Sequence, residues 1–558
     1  MAHTFGSKET LPQAFPVLTA EQIGRIRPLG HVRQVRTGDV LFQPGDRTVP
    51  FFVLLSGRME IVQPDLDGER MIAVHVPGEF TGEMTMVSGQ KCLVIGRVTQ
   101  DGEFLELSGE NLRTLVARDT ELSEILMRAF ILRRLELIKR GWGNLIVLGS
   151  HHSARTLEIR EFLTRNGQPH SYIDLDRDQG SQALLDRFNV QPAEVPVVLC
   201  NAGKFVLRNP TIQKLADCLG LSVVTGGKDI RDVIIVGAGP AGLAAAVYAA
   251  SEGLDVLVVE TNSPGGQAAS SSKIENYLGF PTGVSGQELA GRAATQALKF
   301  GAQMLIARNV QGLDCDNQPY RVRLDGGETL AARTIVIATG AQYKRLGLPN
   351  LLQFEGNGVY YGATYMESQL CTGEEVVVVG GGNSAGQAAT YLAQTAQRVH
   401  VLVRSNGLSA TMSRYLIQRL EENPKVELHC RTEVTGLEGA DHLERIRWRD
   451  QASGAESEHP IRHLFLMTGA SPRTEWLKGC LALDSKGFIL TGRDLDREGG
   501  EDGSPRWPLQ RSPEMLETSL PGVFAVGDVR AGNVKRVASA VGEGAISIHL
   551  VHRALAEL

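Results

Sequence analysis

The sequence predicts a multidomain chain. An N-terminal β-barrel or jelly roll with a long helix comes first, then a small α/β domain, then two three-layer α/β domains. Three observations predict it. Residues 17–110 are short β-branched runs broken by Gly, Pro and Asp. Residues 144–221 alternate strand-like runs with helical stretches. Two strand–glycine-turn–helix segments follow, Asp232-Val-Ile-Ile-Val-Gly-Ala-Gly-Pro-Ala-Gly242 and Val376-Val-Val-Val-Gly-Gly-Gly-Asn-Ser-Ala385. A length of 558 residues allows three or four such domains.

In the first segment Gly38-Asp-Val-Leu-Phe-Gln-Pro-Gly-Asp46, Phe51-Phe-Val-Leu-Leu-Ser-Gly57 and Met71-Ile-Ala-Val-His-Val-Pro-Gly78 read as hairpin strands. Residues 111–140 lack Gly and Pro and carry Leu112, Leu115, Leu122, Ile125, Leu126, Ala129 and Leu132, the apolar stripe of one long helix. That helix could pack on the barrel or on a twin subunit. The barrel resembles the cyclic-nucleotide-binding domain through Leu41-Phe-Gln-Pro-Gly-Asp46, Phe52 to Gly57 and Gly78-Glu-Phe-Thr-Gly-Glu83. The resemblance implies a turn at Gly82 and Glu83 that cradles a cyclic phosphate, and an arginine where this chain has Cys92, with Lys91 beside it. Without a bidentate guanidinium the phosphate loses its main counter-charge. The expected use is therefore dimerisation or docking, with a cyclic nucleotide as the lesser alternative.

The second segment runs Leu145-Ile-Val-Leu, helix, Ser171-Tyr-Ile-Asp-Leu-Asp176, helix, Val195-Pro-Val-Val-Leu199. It resembles the glutaredoxin/thioredoxin fold. Phe162-Leu163 fits the first helix, and Val195-Pro196 falls where that family has a cis-proline. The redox dithiol would lie at Ser153-Ala-Arg-Thr156, where hydroxyls replace thiols, so the module is expected to be redox-silent by itself. Cys200 is expected to be a buried strand cysteine, with a lone reactive thiol as the alternative.

A linker, Thr225-Gly-Gly-Lys228, leads to the glycine turns. Gly237 permits the tight turn, Gly239 lets backbone approach a pyrophosphate, and Gly242 lets the helix opened by Pro240 and Ala241 pack on its strand. The next strand ends in Glu260, 18 residues after Gly242, where a carboxylate bonds ribose hydroxyls. In the second turn Gly380, Gly382, Asn383, Ser384 and Ala385 take the same places. Its next strand, Val399-His-Val-Leu-Val-Arg404, ends in a cation that suits a 2′-phosphate and favours NADP over NAD. Two Rossmann-like dinucleotide sites in one chain point to a flavin served by a nicotinamide.

From Arg231 to Leu558 the chain resembles bacterial-type thioredoxin reductase. The match runs through both turns, Gly265-Gly-Gln267, Ile274-Glu-Asn-Tyr-Leu-Gly-Phe-Pro281, Gly286-Gln-Glu-Leu289, Ile337-Ala-Thr-Gly340, Met467-Thr-Gly469 and Gly522-Val-Phe-Ala-Val-Gly-Asp528. The resemblance implies a homodimer and an FAD domain split by an inserted NAD(P)H domain. The domains are then expected at 1–142, 143–224, 229–347 (FAD, first part), 348–466 (NAD(P)H) and 467–558 (FAD, second part). It also implies FAD contacts at Gly266, Gln267, Asn276, Val310 (adenine, by backbone), Thr339, Gly340, Gly527 and Asp528 (ribityl hydroxyl), with Lys535, Arg536, Val537 and Ala538 near the flavin ring.

The departure from that family lies at Tyr361-Gly-Ala-Thr-Tyr-Met366, where the family carries Cys-Ala-Thr-Cys. Gly362 and Tyr365 hold the sulfur positions. The expected activity is hydride transfer from NADPH to FAD, then direct electron transfer to an unidentified acceptor: a redox protein, a quinone, oxygen or a disulfide. The alternatives are a thioredoxin-disulfide reductase using thiols in trans, and a sensor that binds both cofactors with little turnover. No catalytic residue is assigned with certainty; Tyr365 and Cys371 are the candidates.

A net charge of −6 without a basic stripe argues against nucleic acid. No apolar run approaches the roughly 18 residues of a membrane span, and the N-terminus has no apolar signal region, so a cytoplasmic location is expected. Seven scattered cysteines without Cys-x-x-Cys argue against a disulfide framework and a cysteine metal site. The 13 histidines form no metal motif, and His151 and His152 are expected to point apart. Residues 494–513 read as an acidic, Gly-rich surface insertion, or as a lid or docking element.

Overall fold

The computed structural model describes residues 12–47, 49–65, 68–82, 86, 91–140, 145–178, 181–201, 203–222, 230–271, 273–440, 442–497 and 507–557. Glu83, the linker at 225–228 and residues 498–506 of the insertion lie outside them.

The N-terminal strands form two antiparallel sheets. One holds His31–Val35, Gly102–Leu107 and Phe51–Leu54; the other holds Val40–Phe42, Ile95–Gln100, Arg58–Asp65 and Gly68–His75. Strand Phe51–Leu54 is buried on both faces. Alternation sends Phe51 and Val53 toward the flanking helices, and Phe52 and Leu54 into the space between the sheets. The single helix expected over 111–140 is two helices, Gly109–Arg118 and Thr120–Lys139. Asp119 breaks them without glycine or proline: its φ/ψ of −107°/103° is extended, and its carboxylate accepts from the Leu122 N–H at 3.0 Å. An N-cap is enough to start a new helix.

The small α/β domain is a four-stranded mixed sheet in the order Phe205–Arg208, Val197–Cys200, Leu145–Gly149, Ser171–Asp174. Helices Ala154–Arg165 and Ile212–Leu219 cover one face, and helix Ser181–Arg187 covers the other. The Val195–Pro196 peptide is cis.

The flavin-type domain has strands Gln303–Ile306, Val256–Glu260, Arg231–Val236 and Thr329–Ile337 in parallel. Val523–Ala525, from the far end of the chain, pairs parallel with Thr329–Ile337. The chain therefore leaves this domain, builds another, and returns. The other has five parallel strands in the order Val359–Tyr360, Leu464–Leu466, Glu375–Val379, Arg398–Val403, Val426–Cys430. A three-stranded antiparallel sheet, Thr432–Glu438, Arg445–Asp450 and Glu456–His459, packs on one face of it.

Two expectations are corrected. Cys315 and Cys480 form a disulfide with a Cα–Cα distance of 5.8 Å across 165 residues of sequence, a pairing that spacing could not disclose. His151 and His152 do not point apart: they sit on a turn after Leu145–Gly149, with ring centroids 3.7 Å from each other. Among the described residues no helix is long and apolar enough to cross a membrane.

The returning helix Val537–Glu557 lies on Pro240–Ser251 so closely that a Cβ at Gly544 would stand 2.2 Å from the Ala241 carbonyl oxygen. Gly544→Val is expected to cost about 3 kcal/mol or more by overpacking. A thermal melt should show the loss, whereas an unchanged melting temperature would mean the helices can separate freely.

Candidate functional site

The first glycine turn gathers most of the residues expected to meet a flavin dinucleotide. Gly237 has φ +104°, and a Cβ there would stand 2.3 Å from the Ala338 carbonyl oxygen, beside Thr339. At Gly242 a Cβ would meet the Gly237 oxygen at 1.9 Å. Both glycines are required by backbone packing. Gly239 differs: its Cβ would meet only the Gly266 Cα, at 4.0 Å. Gly239 also caps helix Pro240–Ser251 without a side-chain hydrogen bond, so the first amides of that helix face outward beside a bare backbone. The two strands of backbone at Gly239 and Gly266 form a cradle that side chains would fill.

The neighbours converge on it. Glu260 accepts from the Ala238 N–H at 2.8 Å and the Asn262 N–H at 2.9 Å, which fixes its carboxylate at the turn. Gln267 donates to the Ala341 carbonyl at 3.2 Å. Thr339 donates to the Arg473 carbonyl at 3.0 Å, and Gly340 follows with φ +65°. Gly527 sits where a Cβ would come 2.9 Å from Ala241, and its N–H donates to Glu543 at 2.7 Å. The Asp528 carboxylate is half-buried, makes no hydrogen bond among the described residues, and is held above the usual carboxylate range by burial. Lys535 donates to the Asp528 backbone oxygen at 2.6 Å, and burial lowers its pKa. Arg536, Val537 and Ala538 lead into the returning helix. Asn533, which the sequence did not single out, is half-buried, and both of its amide atoms are buried and unpartnered among the described residues. A free carboxylate, an orphaned amide and a bare cradle fit a polar dinucleotide. Asn276 is exposed on its loop, and Val310 is buried at the start of the outermost strand.

The second turn repeats the geometry. A Cβ at Gly380 would stand 2.5 Å from the Met467 oxygen, whereas at Gly382 the nearest atom is 3.9 Å away. Gly382 caps helix Asn383–Leu392 with no side-chain bond. Asn383 accepts from the Ser413 N–H at 2.7 Å, Ser384 is exposed and Ala385 is buried. Arg404 is exposed and has no ion pair among the described residues. The residues fit a nicotinamide dinucleotide with an additional anionic group.

Between the turns, the thiol-replacing segment lies on the flavin side: a Cβ at Gly362 would stand 3.2 Å from Ser270. Tyr365 opens helix Tyr365–Leu370, and its side chain lies outside the described set. Cys371 is fully buried in the core of the second dinucleotide domain, and burial pushes its thiol up to about 12. Such a thiol packs as a hydrophobe and is not a thiolate nucleophile.

The small α/β domain clamps the first turn. Arg165 donates to the Gly266 carbonyl at 2.9 Å, and Asn166 donates to the Asn262 carbonyl at 3.3 Å. At its own loop Ser153 caps helix Ala154–Arg165, and Thr156 is buried beside Gly149, which Pro196 also approaches. Cys200 is not a lone thiol: its Sγ lies 3.5 Å from that of Cys218. Their hydrogen bond and the nearby Lys91 charge lower the Cys218 thiol below the ordinary thiol value, and Lys91 also donates to the Cys218 carbonyl at 2.6 Å.

In the barrel a cavity of about 60 Å³ is lined by Phe15, Phe42, Ile61, Ile72, Cys92 and Leu137. Arg133 enters it from the long helix, donating to the Ala14 and Gly82 carbonyls at 2.8 and 2.7 Å, with its guanidinium over Phe15 and Phe80. An arginine interrupting an apolar helical stripe was the available signal for it.

Glu367 is buried, and accepts from the N–H and hydroxyl of Thr364. Desolvation raises its pKa. A carboxyl with a raised folded pKa favours the folded state below its unfolded pKa, and that contribution is lost as pH rises toward the folded pKa. Glu367→Gln is therefore expected to raise the melting temperature at pH 8 and leave it nearly unchanged at pH 4. A melt with the same shift at both values would contradict the ionisation cost.

Residues 231–544 match the model of the pyridine nucleotide-disulphide oxidoreductases, and residues 32–119 match that of the cyclic nucleotide-binding domain. A thioredoxin reductase of Mycolicibacterium smegmatis is 33% identical over 329 residues, 59% of this chain and 97% of that protein. The NADPH-dependent thioredoxin reductase 3 of Arabidopsis thaliana is 33% identical over 364 residues, and this chain covers 64% of it. Among solved structures, Lactococcus lactis thioredoxin reductase in its FR conformation aligns with a TM-score of 0.52 at 27% identity, covering 59% of this chain and 100% of that one. The T. acidophilum thioredoxin reductase gives 0.51 at 28%, with the same coverage. The chain belongs to the pyridine nucleotide-disulphide oxidoreductase family, as a thioredoxin reductase-like FAD/NADPH oxidoreductase with a cyclic nucleotide-binding domain at its N-terminal end.

Proposed function

We propose that this protein oxidises NADPH through FAD and passes the electrons to an acceptor outside the chain, with no dithiol at the thioredoxin reductase position. The observation that carries the proposal is Gly362 and Tyr365 in the segment packed on Ser270: neither side chain can form a disulfide there. FAD, when bound, supplies hydride acceptance from NADPH and electron release to the acceptor. The protein's part is to bind and orient. The cradle at Gly237, Gly239, Gly242 and Gly266 would hold the FAD pyrophosphate, with Pro240 and Ala241 starting the helix that faces it. Glu260 would take ribose hydroxyls, and Asp528 a ribityl hydroxyl. Gln267, Thr339, Gly340, Gly527 and Lys535 to Ala538 would close around the flavin. Gly380, Gly382, Asn383, Ser384 and Ala385 would seat NADPH, with Arg404 on its 2′-phosphate. The acceptor is a redox protein or small molecule, and the assembly is a homodimer.

Anaerobic titration with NADPH is expected to bleach the flavin with one equivalent per FAD. Two equivalents would bring thiols into the circuit, with Cys200–Cys218 and Cys315–Cys480 as the pairs to test. Absence of bleaching would favour a sensor.

The barrel serves as a docking or dimerisation module in this reading. Cys92 stands where the resemblance places the phosphate arginine and contributes no charge to a phosphate. Calorimetry with cAMP and cGMP on the full chain is expected to show no heat and no change in NADPH oxidation. A saturable heat would reverse this reading of the module.

A further inference from the structure

The sequence offers no metal motif, yet the fold brings two groups of histidines and carboxylates together: His151, His152 and Asp176 in the small α/β domain, and His400, Glu427 and His429 in the NADPH-type domain. The second has the geometry of a coordination site. Strand Arg398–Val403 pairs with Val426–Cys430 in a register that sets His400 opposite Glu427 and Leu402 opposite His429. His400 Nδ1 and His429 Nε2 are 3.1 Å apart. The Glu427 oxygens lie 3.7 Å from His400 Nδ1 and 3.6 Å from His429 Nε2. Ligands about 2.0–2.1 Å from a tetrahedral zinc ion are about 3.3 Å from each other; the two imidazole nitrogens stand near that separation, and each has a different Glu427 oxygen within 3.7 Å, Oε2 beside His400 and Oε1 beside His429.

The surroundings complete the pattern. The far nitrogen of His400, Nε2, is 3.3 Å from Glu375 Oε2. A carboxylate behind a ligating imidazole fixes its tautomer and leaves the opposite nitrogen's lone pair for a cation. His400 is 6% exposed and cannot swing away, whereas Glu427 is exposed and leaves a path from solvent. Trp448 lies 5.6 Å from both imidazoles and stacks on His459 at 3.5 Å, giving an apolar wall. Arg398 pairs with Glu427 Oε2, the oxygen nearer His400, at 3.2 Å, so Oε1, beside His429, is the freer ligand.

We infer that His400, His429 and Glu427 form a binding site for a divalent transition cation, zinc by its ligand set, between the parallel sheet and the antiparallel sheet of the NADPH-type domain. Two imidazoles and one carboxylate suit zinc and its neighbours rather than magnesium or calcium. The site is separate from the glycine turn and does not depend on the proposed electron acceptor. Bound metal would tie Arg398–Val403 to Val426–Cys430, four residues before Arg404.

The test uses the full-length protein, stripped of metal by a chelator and dialysed. Zinc is titrated against a chromogenic chelator, and Co²⁺ is followed by its visible d–d bands. The expected result is one zinc per chain, abolished by His429→Ala and by Glu427→Gln, weakened about 10–100-fold by Glu375→Gln, and unchanged by His152→Ala. Circular dichroism checks that each variant is folded. Glu427→Gln, at an exposed position, serves if His429→Ala is not. Absence of stoichiometric zinc in the wild type, or zinc retained by the folded Glu427→Gln protein, overturns the site. Zinc lost only in His152→Ala would move it to the small α/β domain and overturn it equally.

Discussion

The contact on which the catalytic half depends is backbone against backbone at the first glycine turn. Gly242 touches the Gly237 carbonyl, Gly237 touches Ala338, and Gly544 of the returning helix touches the Ala241 carbonyl, all closer than any side chain permits. These approaches do two things together. They seat helix Pro240–Ser251 so that its uncapped amides face the cradle at Gly239 and Gly266. They also recruit Val537–Glu557, which arrives only after the NADPH-type domain has been built. The cradle proposed for the flavin dinucleotide is thus assembled from both ends of the catalytic half, and its electrostatics follow from its packing.

Part of the attachment of the N-terminal half runs through the loop that faces that turn. Arg165 and Asn166 of the small α/β domain bond to carbonyls at Gly266 and Asn262, while Lys91 of the barrel bonds to the backbone at Cys218. A module with hydroxyls at its expected thiol positions still buttresses the loop that shapes the cradle. The thiol pair at Cys200 and Cys218 sits on the side that meets the barrel.

What the sequence disclosed and what it hid divide along a physical line. The two glycine turns were legible because their requirements are local: a strand, a residue with no Cβ, a helix start. The place of Arg404, just past strand Arg398–Val403 and a fixed distance from such a turn, was legible for the same reason. The break at Asp119 was legible in principle, since an aspartate before Thr120 is an N-cap, but the apolar stripe running across it outweighed it. The pairings Cys315–Cys480, Cys200–Cys218 and His400–His429 depend on strand register and on which faces meet, and no spacing encodes those. His151 and His152 point alike because they occupy a turn, where the alternation of regular structure does not apply.

The Cys315–Cys480 bridge has a topological consequence. One cysteine follows strand Val310–Asp314, before the chain leaves the flavin-type domain, and the other lies in the stretch just after its return. The covalent ring they close contains the entire NADPH-type domain. That domain is an appendage on a closed loop, so a single peptide cut anywhere within it leaves the two parts of the flavin-type domain joined as one molecule.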